Sequence, residues 1–202
     1  MAAPPNWDVI TPRIVVGSCP HTRDDIHVIS DDAECNALLS LQSDADHEHL
    51  GIDWYDIASH AEDLGLAVQR IPMRDFDDAD IEKSLAEAVH ALAMLLDDDR
   101  KVYVHCTAGM NRAPLVVLGY LTFCEGKTLK EAVSLVQRRA VAAPPLASWK
   151  TVRRELLKRH EERRDRLVEE MSETSDAPRH DLVSRAERLI LAGIFRPSKA
   201  AR

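Results

Sequence analysis

From residue 7 to about residue 160, short runs rich in β-branched residues alternate with segments whose apolar positions recur every three or four residues. Few folds accommodate that alternation. It predicts an α/β architecture in which a central, mostly parallel sheet is covered by helices. The stretch WDVITPRIVVGS reads as a hairpin, with Pro12 in the turn and Ile14 to Val16 as a buried strand. RDDIHVI is a short helix, NALLSLQ a buried strand, WYDIASHAEDLG a helix closed by Gly65, and LAVQRIP a strand. Ile81, Leu85, Ala88, Val89, Leu92 and Leu96 form one apolar face over residues 80–97. The strand KVYVH, a helix over 113–125 and a further helix over TLKEAVSLVQRRA follow. Pro144-Pro145 breaks that pattern before a long charged helix that opens near Ser148. SETSDAPRH is a linker, and an apolar stripe from Leu182 to Ile194 marks a last helix that must dock on something. A chain of 202 residues thus divides into a main unit, 7–160, and a helical extension, 161–202.

Charge and composition exclude several classes. The net charge is -8, with acids concentrated in the first half and bases near 150–166, which argues against a nucleic-acid partner. The longest apolar run, Pro114 to Cys124, is too short to span a bilayer, so no membrane role is expected. Only six residues precede Trp7, leaving no room there for a transit peptide. Cys19, Cys35, Cys106 and Cys124 show no CxxC spacing, so neither a disulfide framework nor a zinc site is expected. His21, His47, His49, His60, His90, His160 and His180 are scattered and read as solvated; His105 is placed to order the loop that follows it.

The chemistry concentrates in KVYVHCTAGMNRAPLVVLGYL, residues 101–121. Ligands of such sheets collect beyond the carboxyl ends of strands, opposite helix N-termini, and Cys106 falls at that position. Thr107, Ala108, Gly109, Met110 and Asn111 are small or flexible enough for their N–H groups to curl inward as an anion cradle. Gly109 allows close backbone approach, and Asn111 tolerates a left-handed conformation. Arg112 opens the helix with a guanidinium that can grip two phosphate oxygens. An electropositive loop of this kind favours the thiolate, placing Cys106 to attack a bound phosphate monoester in line. The departing alkoxide then needs a proton, for which RIPMRDFDDAD supplies Asp75 on a neighbouring loop. No metal or other cofactor is called for.

VHCTAGMNRAP resembles the signature loop of the dual-specificity branch of the protein tyrosine phosphatase superfamily, whose core is HCxxGxxR. More narrowly, HCTAGMxRAP resembles the plant and algal glucan phosphatases of the Starch Excess Four and Like Starch Excess Four group. IVVGSCP, LLSLQSDADHEHLGID and RDFD are similar to that group's opening segment, second strand with variable loop, and general-acid loop. The similarity runs from about Trp7 to about Arg159, so 7–160 is identified as a dual-specificity phosphatase catalytic domain. The resemblance implies Cys106 as nucleophile, Arg112 as phosphate-binding arginine and Asp75 as acid and base. It also implies that Phe76 lies along a glucan channel and that Trp7 contributes a second sugar-facing aromatic. This sequence departs from the family at Asn111, usually glycine, and at His49-Leu50, where relatives carry two aromatics.

Three functional readings follow. The first is a phosphomonoester hydrolase acting on a starch-like phosphoglucan through a cysteinyl-phosphate, located by resemblance in a plastid or else in the cytoplasm. The second keeps the enzyme but takes a phosphoprotein or another small phosphoester as substrate. The third is an inactive phosphate-binding scaffold. Oligomeric state is left open.

Overall fold

A computed structural model describes residues 4–196; the first three residues before Trp7 and the last six of the C-terminal extension lie outside them. Five strands form one sheet in the order β1-β2-β5-β3-β4. They are β1 (Trp7–Thr11), β2 (Ile14–Gly17), β3 (Ala37–Ser40), β4 (Ala67–Arg70) and β5 (Val102–His105). β1 pairs antiparallel with β2 through the turn at Pro12, and every other pairing is parallel. The three inner strands are buried at every position, which explains their near-continuous Val, Ile, Leu and Ala content.

The two faces of the sheet take alternate residues. Ile14, Val16, Leu39, Val102 and Val104 face the larger core, whereas Val15, Leu38 and Tyr103 face the smaller one. The smaller core is closed by α1 (Arg23–His27) and α3 (Trp54–Asp63). The larger is closed by α4 (Asp78–Asp97), α5 (Arg112–Phe123), α6 (Leu129–Val136), α7 (Leu146–Lys158) and α9 (Arg179–Phe195). All residues of α5 are buried, as expected of a helix apolar around its whole circumference. Gly119 permits its contact with α4, because a Cβ there would meet Val89 Cγ2 at 2.6 Å.

Several expectations are revised. Residues Asp44–Leu50 form a helix, α2, started by a Ser43/Asp46 capping box and ended by Gly51 in the left-handed conformation. The helix after Thr128 stops at Val136, and residues 138–141 turn away because Arg138 and Arg139 reach back to Ile10, Ala108 and Gly109. The single charged helix is two, α7 and α8 (Glu161–Ser172), with a break at Arg159-His160. α8 folds back so that Val168 meets Leu182 and Ala186 of α9. The last helix docks on this same chain: Ile190, Leu191 and Phe195 join the larger core, where the Phe195 ring stacks on Phe123 at 5.6 Å. His47 is not solvated but buried, stacked on Trp54 at 5.4 Å.

Candidate active site

β5 ends at His105 in the middle of the sheet and α5 begins at Arg112, so residues 106–111 form the loop at the carboxyl edge. Cys106 is only 2% exposed, at the base of that loop. Four consecutive loop carbonyls point outward, each to an external donor. Thr107 O accepts from Cys19 N at 3.1 Å and Met110 O from Ala143 N at 2.7 Å. Ala108 O and Gly109 O accept from the Arg139 guanidinium at 3.0 and 2.8 Å. Across a planar trans peptide the N–H lies opposite the carbonyl, so the N–H groups of residues 108–111 are turned to the loop's interior. No acceptor among the described residues takes them.

Gly109 has φ +66°, and a Cβ on it would meet the Gly17 carbonyl oxygen at 2.5 Å. Only glycine fits this crossing. The expectation for Asn111 is corrected: its φ is -113°, because its carbonyl already accepts from Leu115 N as the first helical acceptor. A left-handed residue there would misdirect that carbonyl. Gly109 alone in the loop takes the left-handed turn.

Arg112 is completely buried. Its Nη1 donates to Asp46 Oδ2 at 2.7 Å and to Met73 O at 2.7 Å. Its Nη2 donates to Asp75 Oδ2 at 3.0 Å and to Thr107 Oγ1 at 3.1 Å. Nε has no partner among the described residues, nor does Asp75 Oδ1. Burial works against the guanidinium's charge, but the Asp46 hydrogen bond and the neighbouring Cys106, Asp46 and Asp75 charges hold its pKa above the ordinary value.

Asp46 joins this cluster although the sequence does not single it out. Burial pushes its carboxyl up, yet hydrogen bonds from Arg112 and Ser43 outweigh that and hold it at about 2. The same carboxylate closes the α2 capping box and accepts from Thr107 Oγ1, so it ties the helix start to the cysteine loop. The S-x-x-D spacing at Ser43–Asp46 was the available signal. Below the loop, burial lowers the His105 pKa to about 3, its Nδ1 lies 3.4 Å from Cys106 O, and its Nε2 has no partner among the described residues.

The structure therefore brings together Cys106, the loop Thr107 to Asn111, Arg112 and Asp75. Phe76 stands beside them, 88% exposed and at φ +56°, a conformation a bulky side chain rarely holds. Trp7 is not brought in: its ring packs edge-on against Tyr103 at 6.4 Å, on the smaller core. Strand alternation explains this, since its neighbours Asn6 and Asp8 take the opposite direction and contact Arg139. Of the other cysteines only Cys19 touches the loop. Cys124 lies a full helix away along α5, about 18 Å at 1.5 Å per residue.

A buried cysteine beneath inward amides, at the foot of a helix opened by an arginine, is the arrangement expected of a cysteine-dependent phosphatase. The chain belongs to the dual-specificity phosphatase family, whose catalytic-domain model matches residues 32–158. It is similar to the amyloplastic phosphoglucan phosphatase DSP4 of Castanea sativa, with 32% identity over 75% of this chain and 41% of the relative. The chloroplastic phosphoglucan phosphatase LSF1 of Arabidopsis thaliana is 31% identical over 72% of this chain. The matched part spans 25% of that relative's length. Among solved structures, Tk-PTP in its active form shares the fold with a TM-score of 0.60 at 22% identity. That match covers 76% of this chain and 97% of that one.

Proposed function

We propose that this protein removes phosphate from the glucosyl units of a starch-like glucan, with Cys106 as nucleophile. The observation that carries the chemistry is Arg112, buried and held at the mouth of the cysteine loop with Asp75 3.0 Å away. A phosphate dianion entering the loop accepts from the amides of residues 108–111 and takes Arg112, including Nε, from its carboxylate partners. Asp75, released from Arg112, takes up a proton from water and is then beside the leaving oxygen. The Cys106 thiolate attacks phosphorus, the S–P bond forms as the P–O bond breaks, and the Asp75 carboxylic acid gives its proton to the departing alkoxide. Water next attacks phosphorus, its proton passes to the Asp75 carboxylate, and phosphate leaves as the thiolate is restored.

Two observations support the glucan. Both plant relatives named above are phosphoglucan phosphatases. Phe76 exposes its ring beside Asp75, where an apolar sugar face can cover it. The plastid names of these relatives also favour a plastid location. The test compares an aryl phosphate, solubilised phosphoglucan and a phosphopeptide, with Cys106→Ser as control. Phosphoglucan turnover that Phe76→Ala reduces, with aryl phosphate hydrolysis kept, is the expected result. Phosphopeptide turnover without glucan turnover overturns the substrate, and a folded protein inert toward all three overturns the enzyme.

A further inference from the structure

We infer that Arg139 is a positioning residue of the phosphate loop: from outside, it fixes the direction in which the Gly109 and Met110 amides point. Arg139 belongs to none of the elements that carry the reacting groups. It sits just beyond α6, 2% exposed, with its guanidinium spent on four acceptors. Nε donates to Gly109 O at 2.8 Å, and Nη2 to Ala108 O at 3.0 Å. Nη1 donates to Asp8 Oδ2 at 3.1 Å, and Nη2 also to Asn6 Oδ1 at 2.6 Å.

The consequence follows from peptide geometry. Ala108 O shares a rigid plane with the Gly109 N–H, and Gly109 O with the Met110 N–H. Holding both carbonyls outward therefore holds both N–H groups inward. The other two carbonyls of the loop, those of Thr107 and Met110, are tied by backbone amides of Cys19 and Ala143. Only the middle pair depends on a side chain. That pair is also the part of the loop with the greatest freedom, because Gly109 can rotate to either sign of φ. Without a donor outside, the Gly109 peptides are free to flip and present carbonyl oxygens to the phosphate. Asn6 and Asp8 fix the guanidinium in turn, so the edge strand β1 acts on the site through Arg139.

The test rests on the phosphatase reading for its turnover arm only. Wild type, Arg139→Met and Arg139→Lys are compared for kcat/KM on an aryl phosphate, for orthovanadate affinity and for urea midpoint. Phe195→Ala, distant from the loop, serves as a destabilised control. Arg139→Met is expected to lower kcat/KM by roughly 10²-fold, the scale of losing a preorganised oxyanion donor, and to weaken orthovanadate binding in parallel. Arg139→Lys, whose ammonium can reach one carbonyl but not span both, falls between. The control keeps wild-type orthovanadate affinity at a comparable loss of midpoint. A folded Arg139→Met with unchanged orthovanadate affinity overturns the inference. Should that variant fail to fold, Asn6→Ala with Asp8→Asn loosens the guanidinium instead, and unchanged orthovanadate affinity there is equally fatal. A wild type that binds orthovanadate but hydrolyses nothing sinks the proposed reaction while the affinity comparison still decides the role of Arg139. No orthovanadate binding by wild type overturns both.

Discussion

His105 should make the stability of this protein fall as the pH drops below neutrality. Burial lowers its pKa from the ordinary 6.5 to about 3, so the folded state keeps it neutral where the unfolded chain binds a proton. Stability contributed by the neutral ring is therefore complete above pH 6.5 and is lost progressively as the pH falls from there toward 3. With those two values, linkage gives a loss of about 2 kcal/mol between about pH 7.5 and about pH 5, at one proton per molecule. Urea unfolding at both pH values measures it, with His105→Asn as the reference. The asparagine can keep a bond to Cys106 O but cannot titrate. The difference in unfolding free energy between the two pH values should shrink by about 2 kcal/mol in the variant, whatever its absolute stability. Equal pH dependence in wild type and variant would refute the reasoning, because it would mean that His105 takes up its proton without unfolding.

Asp46→Asn, which leaves the buried Arg112 with one carboxylate instead of two, should lower kcat/KM on an aryl phosphate by about 10- to 100-fold and reduce the urea midpoint. It should also remove the part of acid denaturation that Asp46 carries, a stability present above pH 3.8 and lost as the pH falls through about 2. Gly119→Ala should cost about 1–3 kcal/mol in urea unfolding because the new methyl meets Val89, and Val89→Ala in the same chain should recover much of it. Phe195→Ala should cost about 3–5 kcal/mol in the same assay, since the ring is buried against Phe123; a loss under about 1 kcal/mol would mean that α9 is not part of the core.

What the sequence reveals depends on how locally each feature is encoded. β2, β3 and β5 are legible because burial on both faces forces continuous apolar runs, and Cys106 with Arg112 because one loop fixes both. Asp75 is legible because it follows the strand that lies two places from β5. Asp46 and Arg139 are not, since each meets the loop only through tertiary packing, across 66 residues from Arg112 in one case and 30 from Gly109 in the other. Trp7 stays away from the site for a different reason: it lies on the edge strand that reaches the loop through Arg139, and the one-residue alternation of that strand turns its ring to the opposite face. The α7–α8 break is hidden because the residues around it are charged on every side and carry no proline or glycine. The start of α2 was signalled by its cap, but the acidic run behind it has little apolar periodicity.

The double carboxylate clasp on Arg112 offsets much of the positive potential that the guanidinium would otherwise give the cysteine loop. A singly charged ion such as chloride can meet the inward amides, but it has no second charge with which to take the guanidinium from Asp46 and Asp75. A doubly charged oxyanion of tetrahedral shape can satisfy the guanidinium and the amides together. On the proposed reading, the protein's own acids thus favour a doubly charged tetrahedral oxyanion over the common singly charged salts.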